Sequence, residues 1–297
     1  MSEEQTENPG TGETRAAGYH MGDVNTVISV EDVNKQAKAM AEAIPLERIE
    51  ELAKHDPYIK IENLNAGYGK MEILHDLNLQ VAKGQSLCLI GPNGAGKSTI
   101  LHSIFGFTNI FSGNILIGDG DNKQDVTHLT SSEKLQRAGI AYILQDKSVF
   151  PGMTVEENLW MGGFLKDHPD EAKEAAEKIF QKYDRLAARR SHAAGVLSGG
   201  ERRLLEISRA LVMEPEVLLV DEPSIGLEPR FIDMVFEILD DLQNNEGKTI
   251  LMVEQNAKKG LEFADIGYVL VSGELAIAGP GDELLENPDV GRLFLGG

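Results

Sequence analysis

One stretch limits what this chain can fold into more than any other: Gly91-Pro92-Asn93-Gly94-Ala95-Gly96-Lys97-Ser98-Thr99. It fits the pattern G-x-x-x-x-G-K-[ST] and stands where that pattern has a mechanical meaning. Before it runs Leu87-Cys88-Leu89-Ile90, an unbroken apolar segment of the kind a strand buried on both faces of a parallel sheet requires. After it come Ile100, Leu101 and Ile104 at helical spacing. A strand, a glycine-rich loop and a helix in this order curl successive backbone N–H groups around a polyphosphate, and the helix N-terminus adds partial positive charge. Lys97 is then expected on the β- and γ-phosphates and the Ser98 hydroxyl on Mg²⁺.

The rest of the pattern agrees with an α/β chain. Val217-Leu218-Leu219-Val220 and Thr249-Ile250-Leu251-Met252-Val253 are further continuous apolar runs, and helical patterns over 201–213 and 230–243 lie between or after them. This predicts a mostly parallel core sheet joined by right-handed crossovers. Tyr58-Ile59-Lys60-Ile61 and Leu77-Asn78-Leu79-Gln80-Val81 alternate instead, which predicts an N-terminal antiparallel β region with one buried face. A polar helix is expected over 170–188, inside a helical insert of about 146–213. The main domain spans 58–297. Residues 1–57 form an extension: a Gly/Thr/Glu/Asn-rich disordered tail to about residue 28, a helical pattern at Val33, Ala37, Met40 and Ile44, and a short helix at Leu46, Ile49 and Leu52 with Pro45 near its start.

Composition narrows the function. The 28 Lys+Arg against 48 Asp+Glu give a net charge of −20, which argues against binding nucleic acid by phosphate neutralisation. One Cys, Cys88, excludes a disulfide framework and a Cys-rich zinc site. No apolar run is long enough to span a membrane, and the start MSEEQTENPG lacks the features of a secretory signal, so a cytoplasmic location is expected.

A second half-site appears at Val217-Leu218-Leu219-Val220-Asp221-Glu222, where a buried strand delivers two carboxylates at its carboxyl end. Asp221 is expected in the Mg²⁺ shell, and Glu222 is placed to polarise an attacking water. Two other patterns fail on spacing. Asn122-Lys123-Gln124-Asp125 resembles a guanine-reading motif but arrives too soon after the phosphate loop. Asp119-Gly120-Asp121 would need Glu at the twelfth position of a calcium loop, where Thr130 stands.

Leu197-Ser198-Gly199-Gly200-Glu201, followed by Arg202 and Arg203, resembles the signature of the ABC ATPases and precedes the Asp221-Glu222 strand by the interval that family shows. Gln145, after Tyr142-Ile143-Leu144, resembles its glutamine loop, and Ser224-Ile225-Gly226-Leu227-Glu228-Pro229 the loop that follows the catalytic Glu. The resemblance covers about Tyr58 to Gly297 and implies a P-loop NTPase fold of the ABC type. By the same resemblance, Tyr68 stacks the adenine of ATP, Gln145 reaches the metal and the reacting water, and Gln255 stands where many members carry a His. A Gln there donates a hydrogen bond to a γ-phosphate but supplies no cation. Gln255-Asn256-Ala257, Gly267-Tyr268-Val269-Leu270, Met153-Thr154-Val155-Glu156-Glu157-Asn158-Leu159 and the ending Leu293-Phe294-Leu295-Gly296-Gly297 look like the branched-chain amino acid uptake group, although Gln145 departs from that group's usual glutamate.

The resemblance implies partners. Ser198, Gly199 and Gly200 at a helix start make a second anion site, and the family closes each ATP between the phosphate loop of one ATPase subunit and the signature of another. Separate membrane permease subunits are expected, docked near Trp160 at the cytoplasmic face of the plasma membrane, with a periplasmic solute-binding protein as an indirect partner. Two further readings share the ATP site: an exporter ATPase, and a soluble ABC ATPase acting on ribosomes or DNA. The second of these usually carries paired cassettes or a long coiled-coil insertion, and the chain has neither.

Overall fold

The computed structural model describes residues 44–145 and 148–294. The expected tail, the pattern at Val33, Ala37 and Met40, and the final Leu295-Gly296-Gly297 lie outside these residues.

Among the described residues, a six-stranded sheet runs in the order β10-β9-β3-β8-β7-β6. Its members are β3 (Ser86–Ile90), β6 (Ile140–Ile143), β7 (Val217–Asp221), β8 (Thr249–Val253), β9 (Ile266–Val271) and β10 (Glu274–Pro280). All neighbours pair in parallel except β9 and β10. A smaller antiparallel sheet, order β2-β1-β4-β5, is built from β1 (Pro57–Tyr68), β2 (Met71–Ala82), β4 (Asn109–Ile117) and β5 (Gln124–Asp125). The guanine-motif look-alike ends on β5, the edge strand of this sheet, away from the parallel strands.

Period-two alternation divides the core into two layers. Leu87 and Leu89 face one hydrophobic cluster with residues of β1, β2 and α2 (Lys97–Phe105), whereas Cys88 and Ile90 face another with the helical insert. Both clusters are fully dehydrated around the central strands, which is why β3, β7 and β8 read as continuous apolar runs.

The insert contains α4 (Val155–Gly162), α5 (Pro169–Lys182), α6 (Asp184–Ala187) and α7 (Gly199–Leu211), following α3 (Ser131–Ala138). The single polar helix expected over 170–188 is divided: Tyr183, at φ −122° and ψ 88°, leaves the helical region between α5 and α6. Among the described residues, three helices start with a capping box, at Thr130, Thr154 and Ser198. In each, the hydroxyl accepts a backbone N–H and a Glu three residues on closes the reciprocal bond. Ahead of β1, α1 (Leu46–Leu52) buries Ile49 and Leu52, and Gln85 Nε2 donates to Leu52 O at 2.9 Å. This part of the extension therefore packs on the domain that follows it.

Candidate nucleotide site

Sheet register brings the two half-sites together. Leu89 on β3 and Asp221 on β7 both pair with Val253 of the intervening β8. The loop leaving β3 and the carboxylates ending β7 thus emerge level, two strands apart, at the carboxyl edge where α/β sheets hold ligands. Gly91 has φ +143°, and a Cβ there would lie 2.2 Å from Leu270 O, so the loop can pass this backbone only as glycine. Gly96, also at positive φ, hands the chain into α2 at Lys97.

Lys97 is buried, and its Nζ donates to Gly91 O at 2.9 Å and Pro92 O at 3.0 Å. Burial holds the ammonium pKa below the ordinary lysine value, against the opposing pull of Glu222 and Asp221. Ser98 Oγ donates to Asp221 Oδ1 at 3.0 Å, and Tyr142 OH donates to Asp221 Oδ2 at 2.8 Å. Gln145 Nε2 donates to Glu222 Oε2 at 2.8 Å.

Glu222 itself is held in a left-handed backbone conformation, φ 43°, with its N–H on Val253 O at 2.8 Å. For a side chain of this size the conformation is strained by about 1–2 kcal/mol. Its carboxyl pKa is raised, first by burial and then by Asp221, while Lys97 opposes. A carboxylate shifted upward is a better proton acceptor than an ordinary glutamate.

The ligand chemistry fits these residues. The hydroxyl and carboxylate oxygens of Ser98 and Asp221 form a hard donor set suited to Mg²⁺. Gly94, at φ +81° with open space where a Cβ would project, leaves the loop wall clear for a polyphosphate.

The structure places the remaining expected residues less uniformly. Tyr68 stays 43% exposed, and its hydroxyl is hydrogen-bonded to His102 Nδ1 on α2. Gln255, just past β8, is exposed, and its C=O accepts from Ala257 N–H at 3.0 Å. The preceding Glu254 is buried, accepting from Ser224 Oγ at 2.7 Å and Asn256 N–H at 2.9 Å, which ties the loop after Glu222 to the end of β8. Glu201 is engaged within its own region: one oxygen takes the Ser198 N–H at 2.9 Å and the other pairs with Arg189 at 3.0 Å.

Ser198, Gly199 and Gly200 open α7 beside a cleft of about 510 Å³ lined by Gln145, Gly199, Arg203, Gly226 and Leu227, with no residue of the 91–99 loop in its wall. Gly200 lies against Phe231, where a Cβ would approach a ring carbon to 2.2 Å. The start of α7 thus faces a cleft that the 91–99 loop does not line.

A second groove, about 480 Å³, lies beside the insert and is walled by Tyr142, Leu144, Phe150, Met161, Phe164 and Arg209. Phe164 is 77% exposed there, whereas Trp160 is half-buried and packs on the core beneath.

Sequence reasoning did not single out Tyr142, His102, Arg203 or Glu254. Each acts through a partner far along the chain, and only the glutamate next to Gln255 carried even a local hint.

Comparison with known proteins adds the following. A family model described as ABC transporter matches residues 74–225. The high-affinity branched-chain amino acid transport ATP-binding protein BraG of Pseudomonas aeruginosa is 41% identical over 80% of this chain and 100% of its own length. The probable branched-chain amino acid transport ATP-binding protein LivF of Archaeoglobus fulgidus is 38% identical over 80% of this chain and 98% of its own. Among solved structures, the ADP conformation of the ATP-binding cassette MJ1267 matches with a TM-score of 0.70 at 28% identity, covering 81% of this chain and 99% of that one.

Proposed function

The chain belongs to the ABC transporter family, and from that premise we propose that it is the ATP-binding and ATP-hydrolysing subunit of an importer for branched-chain amino acids or related small polar solutes. The likeness to BraG and LivF over nearly their whole length supports the solute class. The observation that carries the hydrolytic role is the Glu222 carboxylate. It ends the buried strand β7 on a strained backbone, has a raised pKa, and holds Gln145 at 2.8 Å beside the Ser98–Asp221 pair.

In this reading, the backbone N–H groups of 91–99 and the α2 N-terminus receive the phosphates of ATP. Lys97 turns its ammonium from the loop carbonyls to the terminal phosphates. Ser98, Asp221 and Gln145 would hold Mg²⁺, which when bound neutralises phosphate charge as the bond to the leaving oxygen lengthens. Glu222 takes the proton of the attacking water, and Gln145, hydrogen-bonded to it, orients that water. Gln255 donates a neutral hydrogen bond to the γ-phosphate. Tyr68 offers an exposed ring for the base to stack on.

The separation of the signature cleft from the phosphate loop supports head-to-tail pairing with a second ATPase subunit, whose Ser198-Gly199-Gly200 equivalent would close each ATP. Among the described residues no helix is long and apolar enough to cross a membrane. Work therefore passes to separate permease subunits at the cytoplasmic face of the membrane, and we assign the groove of Leu144, Phe150, Met161 and Phe164 to a permease segment.

The test is Glu222→Gln. Turnover should fall by about 10²–10⁴-fold with ATP binding retained. In ATP and Mg²⁺ the variant should elute as a dimer and, from detergent-solubilised membranes, should capture polytopic permease subunits. Near-unchanged turnover would remove Glu222 from its role, and capture of soluble particles alone would end the transport assignment.

A further inference from the structure

The side groove and the carboxylate pair share one residue. Tyr142 lines the groove together with Leu144, Phe150, Met161 and Phe164, and its hydroxyl donates to Asp221 Oδ2 at 2.8 Å. The other oxygen of Asp221 takes the Ser98 hydroxyl at 3.0 Å. The carboxylate plane is thus fixed by two donors, one from the phosphate-loop helix and one from the groove. Turning the carboxylate therefore means bending or breaking one of these two bonds.

Tyr142 has little freedom to move independently of its surroundings. Its backbone is in register with Leu219 in the parallel sheet. Its ring is flanked by Phe105, His102 and Phe107, with centroids at 5.5, 5.6 and 5.7 Å. His102 is in turn bonded to Tyr68, the exposed aromatic of the site. A displacement of the Tyr142 ring is felt first by these neighbours and, through its hydroxyl, by Asp221.

We propose that Tyr142 is a positioning residue that orients Asp221 and ties the filling of the side groove to the geometry of the metal-holding carboxylate. The inference rests on the readings of the site and groove given above. It is a second route beside Gln145: Gln145 reaches Glu222, whereas Tyr142 reaches Asp221.

Tyr142→Phe in the full chain removes the hydroxyl and leaves the ring. With Mn²⁺ as probe, followed by electron paramagnetic resonance in saturating ADP, the variant's apparent dissociation constant should rise about tenfold, the scale of effect when a hydrogen-bond partner that orients a metal ligand is removed. ADP binding without metal should match the unsubstituted protein, and the thermal midpoint should fall by no more than a few degrees. For coupling, a bimane placed through Phe164→Cys reports on the groove; Cys88 is completely buried and escapes labelling. Its emission should shift when Mn²⁺ is added to the ADP-loaded protein, and the shift should vanish with Tyr142→Phe.

Unchanged Mn²⁺ affinity in the Tyr142→Phe protein would overturn the positioning role. A shift that is absent from the otherwise unsubstituted labelled protein, or that persists after Tyr142→Phe, would overturn the coupling. Failure of the unsubstituted chain to bind ADP would overturn the underlying site reading, and the metal-free control separates that result from the others.

Discussion

The pair Arg203–Glu206 on α7 offers a perturbation whose sign can be worked out from its surroundings. The side chains are 4% and 5% exposed, with Nη1 to Oε2 at 3.0 Å. The same Nη1 donates to Leu144 O at 2.7 Å and Gln145 O at 3.3 Å, while Nε and Nη2 are buried without a partner among the described residues. Arg203→Met alone would leave the Glu206 carboxylate buried without its hydrogen-bonded cation, with the charge of Arg209 still nearby, and removing one member of a buried pair destabilises by about 3–5 kcal/mol. Arg203→Met with Glu206→Leu removes both charges and both desolvation penalties. Such replacements are neutral or stabilising by about 1–4 kcal/mol. The double variant should therefore be more stable than the single by at least about 3 kcal/mol. Urea unfolding at pH 7 with linear extrapolation measures the difference. A double variant as unstable as the single would refute the argument. Turnover separates position from stability: both variants lose the tether on the Gln145 backbone, so both should hydrolyse ATP slowly even where the double variant is fully folded.

Three further outcomes are expected. Because the Glu222 pKa is raised, the carboxylate form that serves as base is lost as pH falls through a value above the ordinary glutamate range, so the acidic limb of kcat/KM should lie above about pH 4.3; a limb at or below that value contradicts the assignment. Gly91→Ala would press a Cβ to 2.2 Å from Leu270 O on a backbone at φ +143°. Fluorescent-nucleotide titration should show ATP binding lost, and calorimetry a lowered Tm. Lys134 is completely buried, donates to Ser103 O at 3.2 Å, and is pushed down to about 8 by desolvation. Between pH 8 and the ordinary lysine value near 10.4 the unfolded chain holds a proton that the folded one does not, so stability rises with pH across that window and burial costs about 3 kcal/mol below it. Lys134→Met should be more stable than the parent at pH 7, with the advantage shrinking toward pH 10 in urea melts; equal stability at pH 7 would count against it.

Much of the site was legible because its chemistry is written locally. The phosphate loop needs glycines and Lys97-Ser98 in one short turn between a strand and a helix, and Asp221-Glu222 needs only an apolar strand before it. The signature run Ser198-Gly199-Gly200-Glu201 is equally local, and the fold adds that Glu201 closes a capping box with Ser198 and pairs with Arg189. The α5–α6 break was not legible, since the polar pattern of 170–188 continues through Tyr183, whose backbone leaves the helical region.

By itself, the sequence determined the α/β class, the strand–loop–helix cradle, the paired carboxylates and the order of the motifs, because each depends on residues within a few positions of one another. Tertiary structure alone decided which donors those carboxylates receive. Tyr142 meets Asp221 across 79 positions, Gln145 meets Glu222 across 77 and Arg203 reaches Leu144 across 59. These meetings follow from the strand order β3-β8-β7-β6 and from the insert folding back on it. Hydrogen bonds are decided within a few tenths of an ångström, and periodicity along a chain fixes which face a side chain takes but not what it finds there.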